Sequence, residues 1–177
     1  MKKSGIIFFV FLLLLTSCEK VDKTTDFDLN YQTNFVVNKS IPIQTSTRIT
    51  SDPVSTNIND ILDSKNSSLD LVNKIKLTKV KLTITDPANE NFDFLSDVDL
   101  YLEASGLPKI RIAWKNQMVN NLGNSIELIL LSDDLQSYFK KDDVTLELDV
   151  TKDEMTSQNI TIKTEVFLEA EADLLGS

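Results

Sequence analysis

Ile160-Thr161-Ile162-Lys163-Thr164-Glu165-Val166-Phe167-Leu168 is the stretch on which the fold turns. Ile160, Ile162, Thr164, Val166 and Leu168 fall two apart, and successive residues of an extended chain point to opposite sides. Such a segment is a strand with one buried and one solvated face. The same period runs through Phe27, Leu29, Tyr31, Thr33, Phe35 and Val37, and through Ile41, Ile43, Thr45, Thr47 and Ile49. It returns in Val80-Leu82-Ile84, Val98-Leu100-Leu102, Ile110-Ile112-Trp114, Ile126-Leu128-Leu130 and Val144-Leu146-Leu148-Val150. Turn residues separate these segments at Asp86-Pro87, Gly106-Leu107-Pro108 and Asn120 to Asn124. About eight strands with one apolar face each predict two antiparallel sheets stacked as a sandwich of immunoglobulin-like architecture.

Helix takes a smaller share. Ser132 offers a cap, Asp133 and Asp134 lie in the turn that follows, and Lys140 and Lys141 close the segment, matching the helix dipole. A short helix there would cross between strands and cover an open end of the sandwich. Ile58, Ile61 and Leu62 place a second short helix within Asn57 to Lys65. Between Ser68 and Leu77 the two periods conflict: Leu69, Val72 and Ile75 fit a helix, Ile75 and Leu77 a strand.

The N-terminus reads as an export signal. Lys2 and Lys3 precede an apolar run from Gly5 to Leu15, and Ser17 and Cys18 close it. That run is shorter than the roughly 20 residues a permanent span needs. Leu15-Thr16-Ser17-Cys18 resembles the bacterial lipobox, which implies cleavage before Cys18 and acylation of its thiol and new amine. More than one acyl chain makes for a stable anchor, since each buried methylene contributes about 0.8 kcal/mol. Cys18 is the single cysteine, so the exported body has no internal disulfide and must rely on a packed core. The expected organisation is a signal over 1–17, a polar tether over 18–26 and one sandwich domain over 27–177.

Loss of the signal removes Lys2 and Lys3 and no acid, moving the net charge from −9 to −11. Such a body is a poor partner for nucleic acid, and it lacks the basic cluster that would hug anionic headgroups. The membrane contact expected is through the lipid alone. Glu19 and Asp22 resemble the acidic surface-display signal of Bacteroidota, but Lys20 and Lys23 interrupt it, leaving open which side of the outer membrane the protein faces.

The composition narrows the chemistry. With no histidine and the one cysteine assigned to lipid, Ser-His-Asp, Cys-His and ordinary zinc sites cannot be assembled. Four glycines, one of them in the signal, form no phosphate loop. Carboxylates remain: Asp97 and Asp99, and Glu165, Glu169 and Glu171, could act in pairs on a glycosidic bond. Their spacing of two, opposite the apolar residues of their strands, reads more plainly as a solvated face. Asp86, Glu90 and Asp93, with Asn89 and Asn91, crowd one loop with oxygen atoms and make it a candidate ligand or calcium loop. Their spacing is not that of an EF-hand, and a surface turn is the plainer reading. Trp114 shares its strand period with Ile110 and Ile112, which predicts an indole at the edge of the core rather than an exposed ring for a sugar.

Leu77 to Pro87, Phe92-Asp93-Phe94-Leu95 and Ala104-Ser105-Gly106-Leu107-Pro108 together resemble a group of uncharacterised Bacteroidota outer-membrane lipoproteins with a β-sandwich body. The resemblance implies fold and envelope location and carries no catalytic residue. The functional expectation is a non-catalytic binding or structural module, tethered through Cys18 and offered to an envelope protein or a glycan. The alternative is a carboxylate-dependent glycan hydrolase. Neither reading calls for a cofactor or a resident metal.

Overall fold

The computed structural model describes residues 24–119, 121–131 and 134–175. The signal, Cys18 and the tether as far as Lys23 lie outside the described residues, as do Asn120, Ser132 and Asp133. In chain order the elements are β1 (Thr24–Val37), β2 (Ser46–Thr50), β3 (Val54–Ser55), α1 (Ile58–Ser64), β4 (Val72–Asp86), β5 (Leu95–Ala104), β6 (Ile110–Lys115), β7 (Ser125–Glu127), β8 (Ile129–Leu130), α2 (Gln136–Phe139), β9 (Asp143–Lys152) and β10 (Ile160–Asp173). Single turns of 3-10 helix precede β4 at Leu69–Leu71 and β5 at Phe92–Phe94.

Alternation in the sequence becomes two antiparallel sheets. One has four strands in the order β1-β10-β4-β7, and the other six, with β2-β9-β5-β6-β8 in line and β3 beside β9. The architecture is the expected mainly β sandwich. Its strand order pairs the first strand with the last along their whole lengths, Thr24 opposite Asp173 and Val37 opposite Ile160. Leu29, Phe35, Leu82, Val166 and Leu168 project from the first sheet, and Val98, Leu100, Leu102, Leu146 and Leu148 from the second, into one buried layer. Burying a side chain of this size contributes roughly 1.5–3 kcal/mol, which is how a body without disulfides can hold.

The helices close the end of the sandwich where β1 begins. Ile58 and Leu62 of α1 and Tyr138 and Phe139 of α2 are buried. Phe139 stacks on Tyr31 of β1 with centroids 5.1 Å apart, and the Tyr31 hydroxyl donates to the carbonyl of Thr56 at 2.8 Å. Burial raises the Tyr31 pKa to about 12. Both helical segments were expected, but α2 is shorter than the ten-residue reading and starts at Gln136. Asp134 accepts from the backbone N–H groups of both Gln136 and Ile75, tying the helix start to β4.

Three strand boundaries differ from expectation. β1 begins at Thr24, so the last three residues assigned to the tether pair with Asp173, Ala172 and Glu171. Of the Ile41 to Ile49 segment only Ser46–Thr50 is strand; Pro42 interrupts the run, and Ile43 makes a single bridge to Lys152. Ile126-Leu128-Leu130 is two strands, because β7 pairs with β4 in one sheet while β8 pairs with β6 in the other. The chain crosses between sheets at Leu128, whose N–H donates to the Val80 carbonyl, and so closes one side of the sandwich. Among the described residues no helix is long and apolar enough to cross a membrane.

Candidate functional site

The structure does not bring the carboxylates of Asp86, Glu90 and Asp93 together in one cluster. Asp86 ends β4 opposite Thr161, and the Glu90 N–H donates back to the Pro87 carbonyl in a tight turn. The 3-10 turn buries Phe92 and Phe94 in the core and points Asp93 sideways, where its carboxylate accepts from the N–H of Leu122 at 2.8 Å. Among the described residues, no three carboxylate, histidine or cysteine groups stand close enough to share a metal ion. Asp93 clamps two loops together.

The acids of the strands lie on the outer sheet faces. Asp99 and Asp149 face each other across β5 and β9, and each has its own arginine. Arg111 donates to Asp99 at 2.9 Å, and Arg48 grips Asp149 with two bonds of 2.6 Å. Glu147 accepts from Lys109 at 2.6 Å and lies 3.2 Å from Arg48. Glu165 pairs with Lys163 at 3.0 Å. The hydrogen bond to Asp149 raises the Arg48 pKa further above its ordinary range.

Trp114 departs from its expected place at the core edge. β5 and β6 lose register between Leu100 and Tyr101, so that Ile112 is an extra residue and Ala113 turns into the core opposite Leu100. This bulge reverses the alternation and sets Trp114 on the outer face, opposite Asp99 and beside exposed Ile129 of β8. The guanidinium of Arg111 sits 6.0 Å from the indole centroid, and that of Arg48 covers the Tyr101 ring at 5.0 Å.

A concavity lies on the opposite side, on the outer face of the four-stranded sheet. A depression of about 530 Å³ is lined by Asp28, Leu29, Asn30, Thr78, Lys79, Phe167 and Leu168. Nearer the start of β1 on the same face lies a second hollow of about 190 Å³ bounded by Asp26, Lys74, Lys76, Glu169 and Glu171. The two share three strands, with β10 as floor and β1 and β4 as walls. Register explains the floor: Glu171, Glu169 and Glu165 stand opposite Lys74, Lys76 and Lys81, and the rung between the last two is Phe167 opposite Lys79. Thr78 is an extra residue in β4 at this rung, and its hydroxyl donates to the Phe167 carbonyl at 3.1 Å. The Lys79 ammonium rests 4.3 Å from the ring centroid.

Sequence reading missed this trough. The signal was present: in Val166-Phe167-Leu168 the outer two residues follow the buried period, so the middle one must point outward.

No protein-family model matches the chain, and no curated protein does. Among solved structures, one described as the 60-mer BFDV capsid protein aligns over 88% of this chain and 96% of its own, with 12% identity and a TM-score of 0.45. The decameric form of the BFDV capsid protein aligns over 85% and 99%, with 12% identity and a TM-score of 0.41. A structure of Desmodium yellow mottle tymovirus aligns over 88% and 92%, with 12% identity and a TM-score of 0.30.

Proposed function

We propose that this chain is a lipid-anchored, non-catalytic binding module of the bacterial cell envelope, held at the outer membrane through Cys18. The observation that carries the reading is the order of Lys2, Lys3, the apolar run and Leu15-Thr16-Ser17-Cys18, placed five residues before the first strand of a rigid sandwich. An acyl group there supplies the attachment, and the sandwich supplies surface to a partner.

Binding is favoured over glycan hydrolysis by the state of the carboxylates. Hydrolysis needs one acid free to give a proton and a second free to attack or to activate water, on either side of the scissile bond. Of the candidate acids, Asp99 and Glu165 are each engaged by an arginine or lysine on a sheet face, Asp97 accepts from the Ser96 hydroxyl and the Gln117 N–H, and Glu169 and Glu171 stand opposite Lys76 and Lys74 in register.

The test is Cys18→Ala in a bacterial host. Wild type is expected in the membrane fraction with the added mass of its acyl chains, and the variant is expected to lose both. Equal membrane retention together with a mass difference equal to the substitution alone would overturn the anchor.

A further inference from the structure

A strand on the outer face of a sheet is expected to carry charge, and β10 does so at Lys163, Glu165, Glu169 and Glu171. Phe167 breaks the pattern in the middle. A half-buried aromatic ring in an otherwise ionic row costs solubility, and nothing in the core needs it, since Val166 and Leu168 on either side already fill the inner face. The β4 bulge at Thr78 falls at the same rung, and bulges re-aim side chains and reshape a sheet where a partner approaches. Ring, bulge and cavity coincide.

We propose that the trough along β10 binds an uncharged glycan chain, with Phe167 as the ring on which a sugar packs; this deepens the reading of the chain as a binding module and rests on it. Three features select that ligand. First, two hollows follow one another along β10: the floor from Phe167 to Glu171 runs about 13 Å at 3.3 Å per residue, a row that suits a chain rather than a single compact molecule. Second, its charges nearly cancel. Lys74 and Lys76 of β4 stand in register with Glu171 and Glu169 of the floor, and Asp26 and Asp28 of β1 with Lys79 bring the lining to four acids against three lysines, so the lysines are matched by neighbouring acids and the field is not single-signed. Third, the polar groups are of both kinds. Asp28 and Asn30 offer acceptor oxygens, and Asn30 and Lys79 offer donors, around one apolar ring. A sugar presents the matching surface, a C–H face rimmed by hydroxyls that both donate and accept. Lys79 covers the ring on a flexible four-carbon stem; it swings aside as the sugar packs and becomes a donor to its hydroxyls.

Calorimetric titration of the detergent-solubilised full chain tests this, with oligomers of N-acetylglucosamine and of glucose as neutral probes and polygalacturonate oligomers as the charged comparator. The expected result is saturable heat with at least one neutral probe, weakened about tenfold by Phe167→Ala and retained by Phe167→Tyr. Asn30→Ala, at an exposed position of β1, is expected to weaken binding as well and serves if the Phe167 variant fails to fold. Trp114→Ala, on the other sheet, should bind as wild type does. Absence of heat with every neutral probe overturns the proposal. Heat untouched by both trough variants, or confined to polygalacturonate, also overturns it. The lipid anchor is judged separately: a chain that fractionates with membranes but gives no heat keeps its anchor and loses its glycan.

Discussion

Lys152 ends β9 with its side chain wholly buried, and among the described residues no carboxylate stands within ion-pairing distance of it. Its ammonium donates to the Lys39 carbonyl at 3.3 Å and to the Thr156 hydroxyl at 3.1 Å, joining the loops on either side of β9. Burial disfavours the charged form, so the pKa lies below its ordinary 10.5. Between the folded-state pKa and 10.5 the unfolded chain binds more protons than the folded one, and stability rises with pH over that window. Below the window the lysine is charged in both states and its contribution is constant and unfavourable. Denaturant titrations of wild type and Lys152→Met, compared from neutrality up to 10.5, should show wild type gaining on the variant as pH rises. A difference that stays flat would mean that burial leaves this amine unshifted. Phe167 gives the complementary lesson at this scale, because the sequence showed three adjacent apolar residues but not the cavity that gives the middle one a use.

At the scale of elements, the strands were legible and the irregularities were not. Hydrophobic alternation reports which side of a strand is buried, but an inserted residue reverses the phase without any composition of its own. The conflict between Ser68 and Leu77 had this origin: Asn73 is an extra residue, so Val72 and Ile75 both face inward although they are three apart, and the same happens further along the strand. Ile75 and Leu77 face inward on one phase, Val80 and Leu82 on the other, and the extra residue Thr78 reconciles them. Ile112 does the same in β6 and carries Trp114 outward against expectation. Deleting Thr78 therefore removes the bulge and leaves both faces of β4 as they are. With Lys79 kept opposite Phe167 and Leu77 opposite Leu168, Ile75, Leu77, Val80 and Leu82 fall on one unbroken period facing inward, and Lys74 and Lys76 stay outward. The hydrogen bond lost with the Thr78 hydroxyl contributes about 1 kcal/mol. Since about 1 kcal/mol shifts the melting temperature of a chain this size by roughly 2–4 °C, the deletion should lower it by no more than about 5 °C. A fall several times larger would show that the bulge itself is needed to hold the register.

At the scale of the whole molecule, the order of strands was hidden, because every half-buried strand gives the same signal whichever neighbour it joins. Pairing β1 with β10 sets the residue nearest the proposed anchor, Thr24, beside Asp173, at one end of the sandwich. Ser67 reaches the same end, its hydroxyl donating to the Asp173 carbonyl, so the turn after α1 lies there too. Val37, Ile160 and the loops 38–45 and 153–159 lie at the other end. Residues 19–23 are five in number and span at most about 18 Å when fully extended. The 14 residues of β1 rise about 45 Å at 3.4 Å each. An acylated Cys18 therefore keeps the Thr24 end near the headgroups, and an upright sandwich carries the far loops, with Ile43 and Met155 exposed at 41% and 69%, well away from them. Cys18 is the only native cysteine, and in the acylated form proposed here its thiol is blocked, so one introduced cysteine takes one fluorophore. In vesicles carrying a headgroup quencher, a label at Lys65→Cys, just past α1, is expected to be strongly quenched, and one at Met155→Cys is expected to stay bright. Equal quenching at both sites would lay the sandwich on its side, and the reverse order would place the anchor elsewhere than Cys18.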